Sequence, residues 1–232
     1  MQSATGQPSR ENQTGKSPPN PGRFTINRAV TIGGVLWSVS IVFFVSQAIV
    51  QAASVSSYSI ATNLISDLGN TACGREICSP WHTLMNATFV FVGLCHCFGS
   101  IATRQSWPHT SGTFGVGALA LAGAGLIVAG LAPENVNVEA HNVGALVGLV
   151  SLNVATIVLG SVIVNVQRWL GVMAITAGSV GFIGLGLFLN QARPVPLGLA
   201  ERIADYPGAA MVVVLGVFLL VSVRRAASIQ AT

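Results

Sequence analysis

Apolar residues dominate the chain in six stretches, near residues 29–53, 84–103, 113–132, 141–165, 169–190 and 207–223. A helix needs roughly 20 apolar residues to cross the hydrocarbon core of a bilayer, about 30 Å thick. The pattern therefore predicts an all-α, polytopic membrane helix bundle of about six transmembrane helices. The sixth stretch is short as a purely apolar run, and it reaches that length by extending back to about Gly198 if the polar positions there face protein. Val166, Gln167 and Arg168 alone separate the fourth and fifth stretches, which predicts a tight hairpin. Ser79-Pro80 reads as an N-cap followed by proline at the first helical position, the start of the second span. Pro207 predicts a kink or break where the chain enters the last span.

Polar positions set the boundaries. Residues 1–27 are rich in Pro, Ser, Gln, Asn and Gly and predict a disordered N-terminal tail. The first apolar run starts only at Ala29, so an uncleaved first span is expected rather than a signal peptide. The expected organisation is a tail over 1–27, a six-helix transmembrane domain over 28–225 and a short tail over 226–232.

Composition agrees with this pattern and narrows the class. Only 8% of the 232 residues are charged, against roughly 25% in an average soluble domain, so lipid must be the solvent for most of the surface. The net charge of +4 is scattered, which favours anionic lipid headgroups and excludes nucleic acid as a partner. Arg10, Lys16, Arg23, Arg28, Arg104, Arg168, Arg224 and Arg225, eight of the eleven basic residues, fall on one side of the predicted membrane. The positive-inside rule then puts both termini in the cytoplasm of a cell-membrane protein. Six of the seven acids, Asp67, Glu76, Glu134, Glu139, Glu201 and Asp205, fall on the other side. Acidic groups near the bilayer boundary are costly unless paired or hydrated, so the outer face holds the candidate chemistry.

The first outer segment, about Ser54 to Asn86, is long and mixed enough to predict a short interfacial helix. Asp67 lies there in Ile-Ser-Asp-Leu-Gly, with Gly69 as a helix stop; it reads either as a local cap or as an inward-facing group for a metal, an arginine or a headgroup. Cys73 and Cys78 enclose four residues and read as a disulfide clip, since zinc would need two more ligands at useful spacing. Trp81 fits the interfacial belt, and His82, one turn before Asn86, reads either as a solvated histidine or as a group at the bundle mouth. His96 lies inside the second span without an obvious partner, Cys95 and Cys97 read as packing residues, and His109 reads as loop. In the second outer segment a helix starting at Pro133 would align Glu134, Asn137 and His141 on one face. That face suits acid–base chemistry, metal ligation or proton coupling, or it is simply a polar cap. In the third, Glu201 and Asp205 are one turn apart, and Arg202 reads as a salt-bridge partner for Glu201 and an acid from another loop.

The spans themselves read as packing surfaces, with Gly144 and Gly148, Ala174 and Gly178, and Ala118 and Ala122 at small-xxx-small spacing. Asn153 reads as an interhelical hydrogen bond. No phosphate loop, H-E-x-x-H or G-x-S-x-G occurs, and one buried histidine does not make a haem ligand pair.

Ile65-Ser-Asp-Leu-Gly69, the segment from Pro133 to His141, and Glu201-Arg202 before the last span together resemble family 998 of the domains of unknown function. These are six-span prokaryotic membrane proteins, and the likeness would cover about residues 30–225. The resemblance implies the fold and no established reaction. The Ser-Asp loop is loosely similar to eukaryotic six-span proteins of lipid remodelling and autophagy. Hydrolases of the alkaline-ceramidase type also gather Ser, Asp and His at one membrane face, with more histidines than this chain has. Both likenesses are fold-level. Three expectations follow. The first is a lipid-active hydrolase or transferase with Asp67, His82, Glu134, His141 and Glu201 in an outer pocket. The second is an ion- or proton-coupled transporter, and the third a non-catalytic scaffold. Metal, cofactor and oligomeric state are left open, and membrane lipids are the expected partners.

Overall fold

The structure is a computed structural model that describes residues 28–55, 57–74, 77–107, 110–190 and 194–230. The expectations for residues 1–27, Arg75, Glu76, His109 and Arg193 lie outside the described residues. Six spans are long and apolar enough to cross a membrane, and the chain is a multi-pass membrane protein. The first is built from α1 (Arg28–Val39) and α2 (Val42–Ala52). The others are α3 (His82–Thr103), α4 (Thr110–Leu131), α5 (Val138–Ile163), α6 (Arg168–Leu189) and α7 (Leu197–Gln230).

The join between α1 and α2 has a local cause. Ser38 and Ser40 turn their hydroxyls back onto the carbonyls of Gly34 and Leu36, a bond that competes with the helical ladder. Over the next residues the backbone tightens, with the Ser40, Ile41 and Phe43 amides bonding three residues back.

The spans form a closed ring. Each packs on its neighbour in order from α3 to α7, while α1 packs on both α3 and α7, and α5 also reaches α7. Small residues set the spacing, because in lipid helices associate through close packing rather than through a hydrophobic drive. A Cβ at Gly125 would run into the backbone of Gly144 and Gly148, and one at Gly184 into the backbone of Ile203 and Ala204. Asn153 supplies the polar contact expected of it, donating to Ala204 O on α7 at 3.0 Å.

Three expectations need correction. The sixth span extends back to Leu197, in line with the extension to about Gly198, but Pro207 lies in its interior without a break and the helix continues to Gln230. Packing against α6 and α1 holds a helix that the proline alone would interrupt. The second span starts at His82 rather than at the Ser79-Pro80 cap, because the Ser79 hydroxyl donates to Leu68 O at 2.7 Å instead of serving its own helix. The first outer segment holds no interfacial helix among its described residues. It forms a single 3-10 turn, Ser66–Gly69, whose Ser66, Leu68 and Gly69 are buried in the mouth of the ring. Gly69 does end that turn, and Asn86 donates to its carbonyl at 2.8 Å. There is no room for a Cβ against the Asn86 side chain.

Candidate functional site

The segment 57–74 caps one end of the ring, and α7 holds it there. Arg202 is 5% exposed. Its Nη1 donates to the carbonyls of Ile60, Asn63 and Gly198 at 2.8–2.9 Å, and its Nη2 to the Tyr58 hydroxyl. The guanidinium also sits 5.8 Å from the Tyr58 ring centre and 6.0 Å from that of Tyr206. The expected salt bridge is therefore replaced by backbone capture: the two terminal nitrogens of the fork bond cap and helix carbonyls and the Tyr58 hydroxyl, while Nε has no partner among the described residues. Tyr58 passes its own proton to Leu64 O at 2.7 Å. Burial pushes its phenol up to about 12, against the lowering influence of Arg202, so it remains a donor at neutral pH.

Asp67 serves the same cap. Its Oδ2 accepts from the Leu64 amide at 2.8 Å and from the Asn63 side chain at 3.2 Å. This is the local-cap arrangement, and Asp67 does not line the cavity described next. Substituting Asp67 with alanine should cost about 1 kcal/mol, as for loss of a capping side chain, and leave ligand binding in the cavity unchanged. Thermal unfolding in detergent checks the first part, and a binding isotherm the second.

Beneath the cap lies a cavity of about 80 Å³. Ile65, Ser66, His141 and Glu201 line it at the mouth, the end nearest the cap, and Phe43, Phe89, Val92, Leu126 and Leu152 line it together with the polar His96 and Asp205. Glu201 Oε2 accepts from the Ile65 amide at 2.6 Å, which ties α7 to the cap. Ser66 donates to Glu134 Oε2 at 2.8 Å, which ties the cap to the α4–α5 turn. Glu134 thus stands behind the mouth, and Ser66 stands in it.

His141 is 5% exposed and lines the same space. Its Nδ1 contacts two carbonyls, Ala129 O at 3.1 Å and Ala132 O at 3.0 Å. Carbonyls only accept, so the proton of the neutral ring is on Nδ1 and the lone pair is on Nε2. This geometry arises differently from the way the spacing suggested. The helix does not start at Pro133: α5 begins at Val138, with Asn137 as N-cap accepting from Ala140 N. The turn before it, not a shared helix face, brings Glu134 and His141 to the mouth.

The remaining candidates separate. His82 sits in a second, shallower groove with Thr71, Asn86, Phe91 and Leu131, and its Nδ1 meets Ser79 O at 2.8 Å. The structure thus gathers His141, Glu201 and, through Ser66, Glu134, and leaves Asp67 and His82 outside. Cys73 and Cys78 form the disulfide in the cap. Cys97 donates to Ala120 O across the α3–α4 contact, and Cys95 is buried.

Two cavity residues were not among the sequence candidates. Asp205 lies one turn beyond Glu201, and its buried Oδ2 has no hydrogen-bond partner among the described residues. His96, 4% exposed, has an unpartnered Nε2. It lies fourteen residues along α3 from His82, about 21 Å at 1.5 Å per residue, near mid-membrane. The signal for both was an ionisable residue inside an apolar span. Among the described residues no three His, Cys, Asp or Glu side chains are close enough together to hold a metal ion.

No curated protein and no solved structure matches the chain. A family model described as "Protein of unknown function (DUF998)" matches residues 38–218. That stretch contains every residue lining the cavity, from Ser40 to Ala209. On this match over most of its length, the chain belongs to the DUF998 family of proteins of unknown function.

Proposed function

We propose that the protein takes a lipid-like amphiphile into this cavity from the outer leaflet of the cell membrane and processes it as a hydrolase or transferase. The observation that carries the reading is the division of a single cavity. His141, Glu201 and Ser66 line its mouth, and Phe43, Phe89, Val92, Leu126 and Leu152 line the rest together with His96 and Asp205. An amphiphile matches that division, with its polar part among groups that exchange protons and its chain among apolar ones. His141 Nε2 is the group suited to take a proton from a hydroxyl or water held at the mouth. Glu201, fixed by the Ile65 amide, is the carboxyl beside it.

Removing a positioned acid–base group lowers rate by roughly 10²–10⁴. His141→Ala should therefore abolish the lipid change that the wild-type protein restores to cells lacking it, in a variant that still accumulates in the membrane but melts lower because its bonds to the Ala129 and Ala132 carbonyls are lost. Full restoration by a folded His141→Ala variant would point to the non-catalytic scaffold. A proton-coupled carrier is the second reading, favoured by the unpartnered His96 Nε2 and Asp205 Oδ2 within the spans. Proton flux in liposomes that is lost in His96→Ala, with lipid composition unaffected, would select it.

A further inference from the structure

We infer that the ligand of this cavity carries an alkylammonium group. The inference rests on the amphiphile reading and names its polar part.

The ground is an inventory of hydrogen-bonding capacity at the cavity surface. The lining hydroxyls are already spent as donors: Ser66 on Glu134 and Ser40 on Leu36 O. The His141 Nδ1 proton is held by two carbonyls. With Glu201 and Asp205 ionised, what remains is almost entirely acceptor. Glu201 has one oxygen beyond the one engaged by Ile65, Asp205 has an unpartnered Oδ2, and His141 has its Nε2 lone pair. His96, more than nine-tenths buried and lining the cavity, adds an unpartnered ring nitrogen and can supply a single N–H donor. A ligand that completes this set must bring donors, and a primary ammonium brings three.

Charge points the same way. Glu201 and Asp205 are on one face of α7, one turn apart, inside an apolar bundle. Carboxylates in such a setting require a cation or protons. Arg202 adjoins Glu201 in the chain, and its guanidinium is committed to the cap carbonyls and Tyr58. A metal ion lacks its ligand set, since among the described residues no three His, Cys, Asp or Glu side chains group closely enough to hold one. An alkylammonium suits these groups if its charged end enters the cavity with the first methylenes against Phe43 and Phe89, the rest of the chain lying outside the space of about 80 Å³. Anionic heads, such as carboxylate or phosphate, would meet almost only acceptors and like charge.

The test uses the full chain in phosphatidylcholine nanodiscs, titrated with dodecylamine, dodecanol and dodecanoate. The amine should bind at least about tenfold more tightly than either, the factor supplied by one charge-assisted hydrogen bond (~1.4 kcal/mol). In the double variant Glu201→Gln, Asp205→Asn, the new side-chain amide at position 201 can still accept from the Ile65 amide. There the preference should vanish while dodecanol binding persists. Equal binding of all three by the wild-type protein would overturn the ammonium inference and leave the amphiphile reading standing. Binding of none would overturn both. A preference that survives in the double variant would also refute the assignment to these carboxyls. Native mass spectrometry in mixed lipid separates the sources of the amine. Retention of phosphatidylethanolamine over phosphatidylcholine and phosphatidylglycerol identifies a headgroup, and binding of dodecylamine alone identifies a free amine; either result supports the inference.

Discussion

Replacing Arg202 with methionine should lower the melting temperature of the purified protein by about 6 °C or more. The side chain is buried and donates to three backbone carbonyls and a phenol. Methionine fills similar volume and donates nothing, so the Ile60, Asn63 and Gly198 carbonyls lose their shared donor. Gly198 O keeps its helical partner, so the groups left unpaired are the Ile60 and Asn63 carbonyls and the Tyr58 oxygen; at about 1–3 kcal/mol for each buried group, they give on the order of 3 kcal/mol together. In a chain of this size that corresponds to ~2–4 °C per kcal/mol. The loss should be local to the cap, with Cys73 and Cys78 becoming more accessible to reductant as the segment detaches. Arg202→Lys should recover only part, since a point-charge ammonium cannot span the fork that the guanidinium fills. A fluorescence-monitored thermal ramp in detergent checks the size, and an unchanged melting temperature for Arg202→Met would show that the cap is held by packing alone.

The second large effect is expected at Gly125. A leucine there would drive its Cβ into backbone atoms of Gly144 and Gly148, and no flexible side chain stands in the way to give ground. Overpacking of a tight contact costs typically about 1–3 kcal/mol, and here the only relief is separation of α4 from α5. That separation has a functional consequence, because Gly144 and Gly148 line the cavity and Ala129 holds His141. Gly125→Leu should therefore lose ligand binding as well as stability. Gly117→Leu on the same helix, where a Cβ meets nothing within 4 Å, is the matched control and should do neither. Indistinguishable melting and binding for the two variants would mean that the α4–α5 contact tolerates a wider spacing than the glycines imply.

The two sites illustrate different kinds of legibility. That Gly144 and Gly148 form a packing face was readable from their four-residue spacing, because helix geometry alone puts such residues on one side. Gly125 carries the same mark with Ala129, but spacing alone did not say that the two faces meet. Asn153 was likewise readable as an interhelical bond, but Ala204 as its acceptor was not. Arg202 was misread as a salt bridge because charges in sequence suggest charges in space, whereas the backbone carbonyls that capture it have no side-chain signature.

The candidate site divides in the same way. Short-range rules gave the capping option for Asp67 and the Cys73–Cys78 clip, since both act within a few residues of themselves. They mispredicted the start of α5, because the turn led by Pro133 ends at Asn137, which caps a separate helix from Val138. They also left out Asp205 and His96, whose relevance depends on facing one cavity from α7 and α3.

Six membrane-crossing stretches, their apolar lengths and the uneven sorting of basic and acidic residues were determined by the sequence alone. The physical reason is that a bilayer demands about 20 apolar residues per helix whatever the neighbours are. Which polar groups meet was decided only by the tertiary structure. Closing the ring of α1, α3, α4, α5, α6 and α7 brings residues as distant in the chain as Ser40 and Asp205 around one cavity. It also seats the 57–74 segment over that cavity, held by Arg202 and Glu201 from the last span and by Ser66 against Glu134.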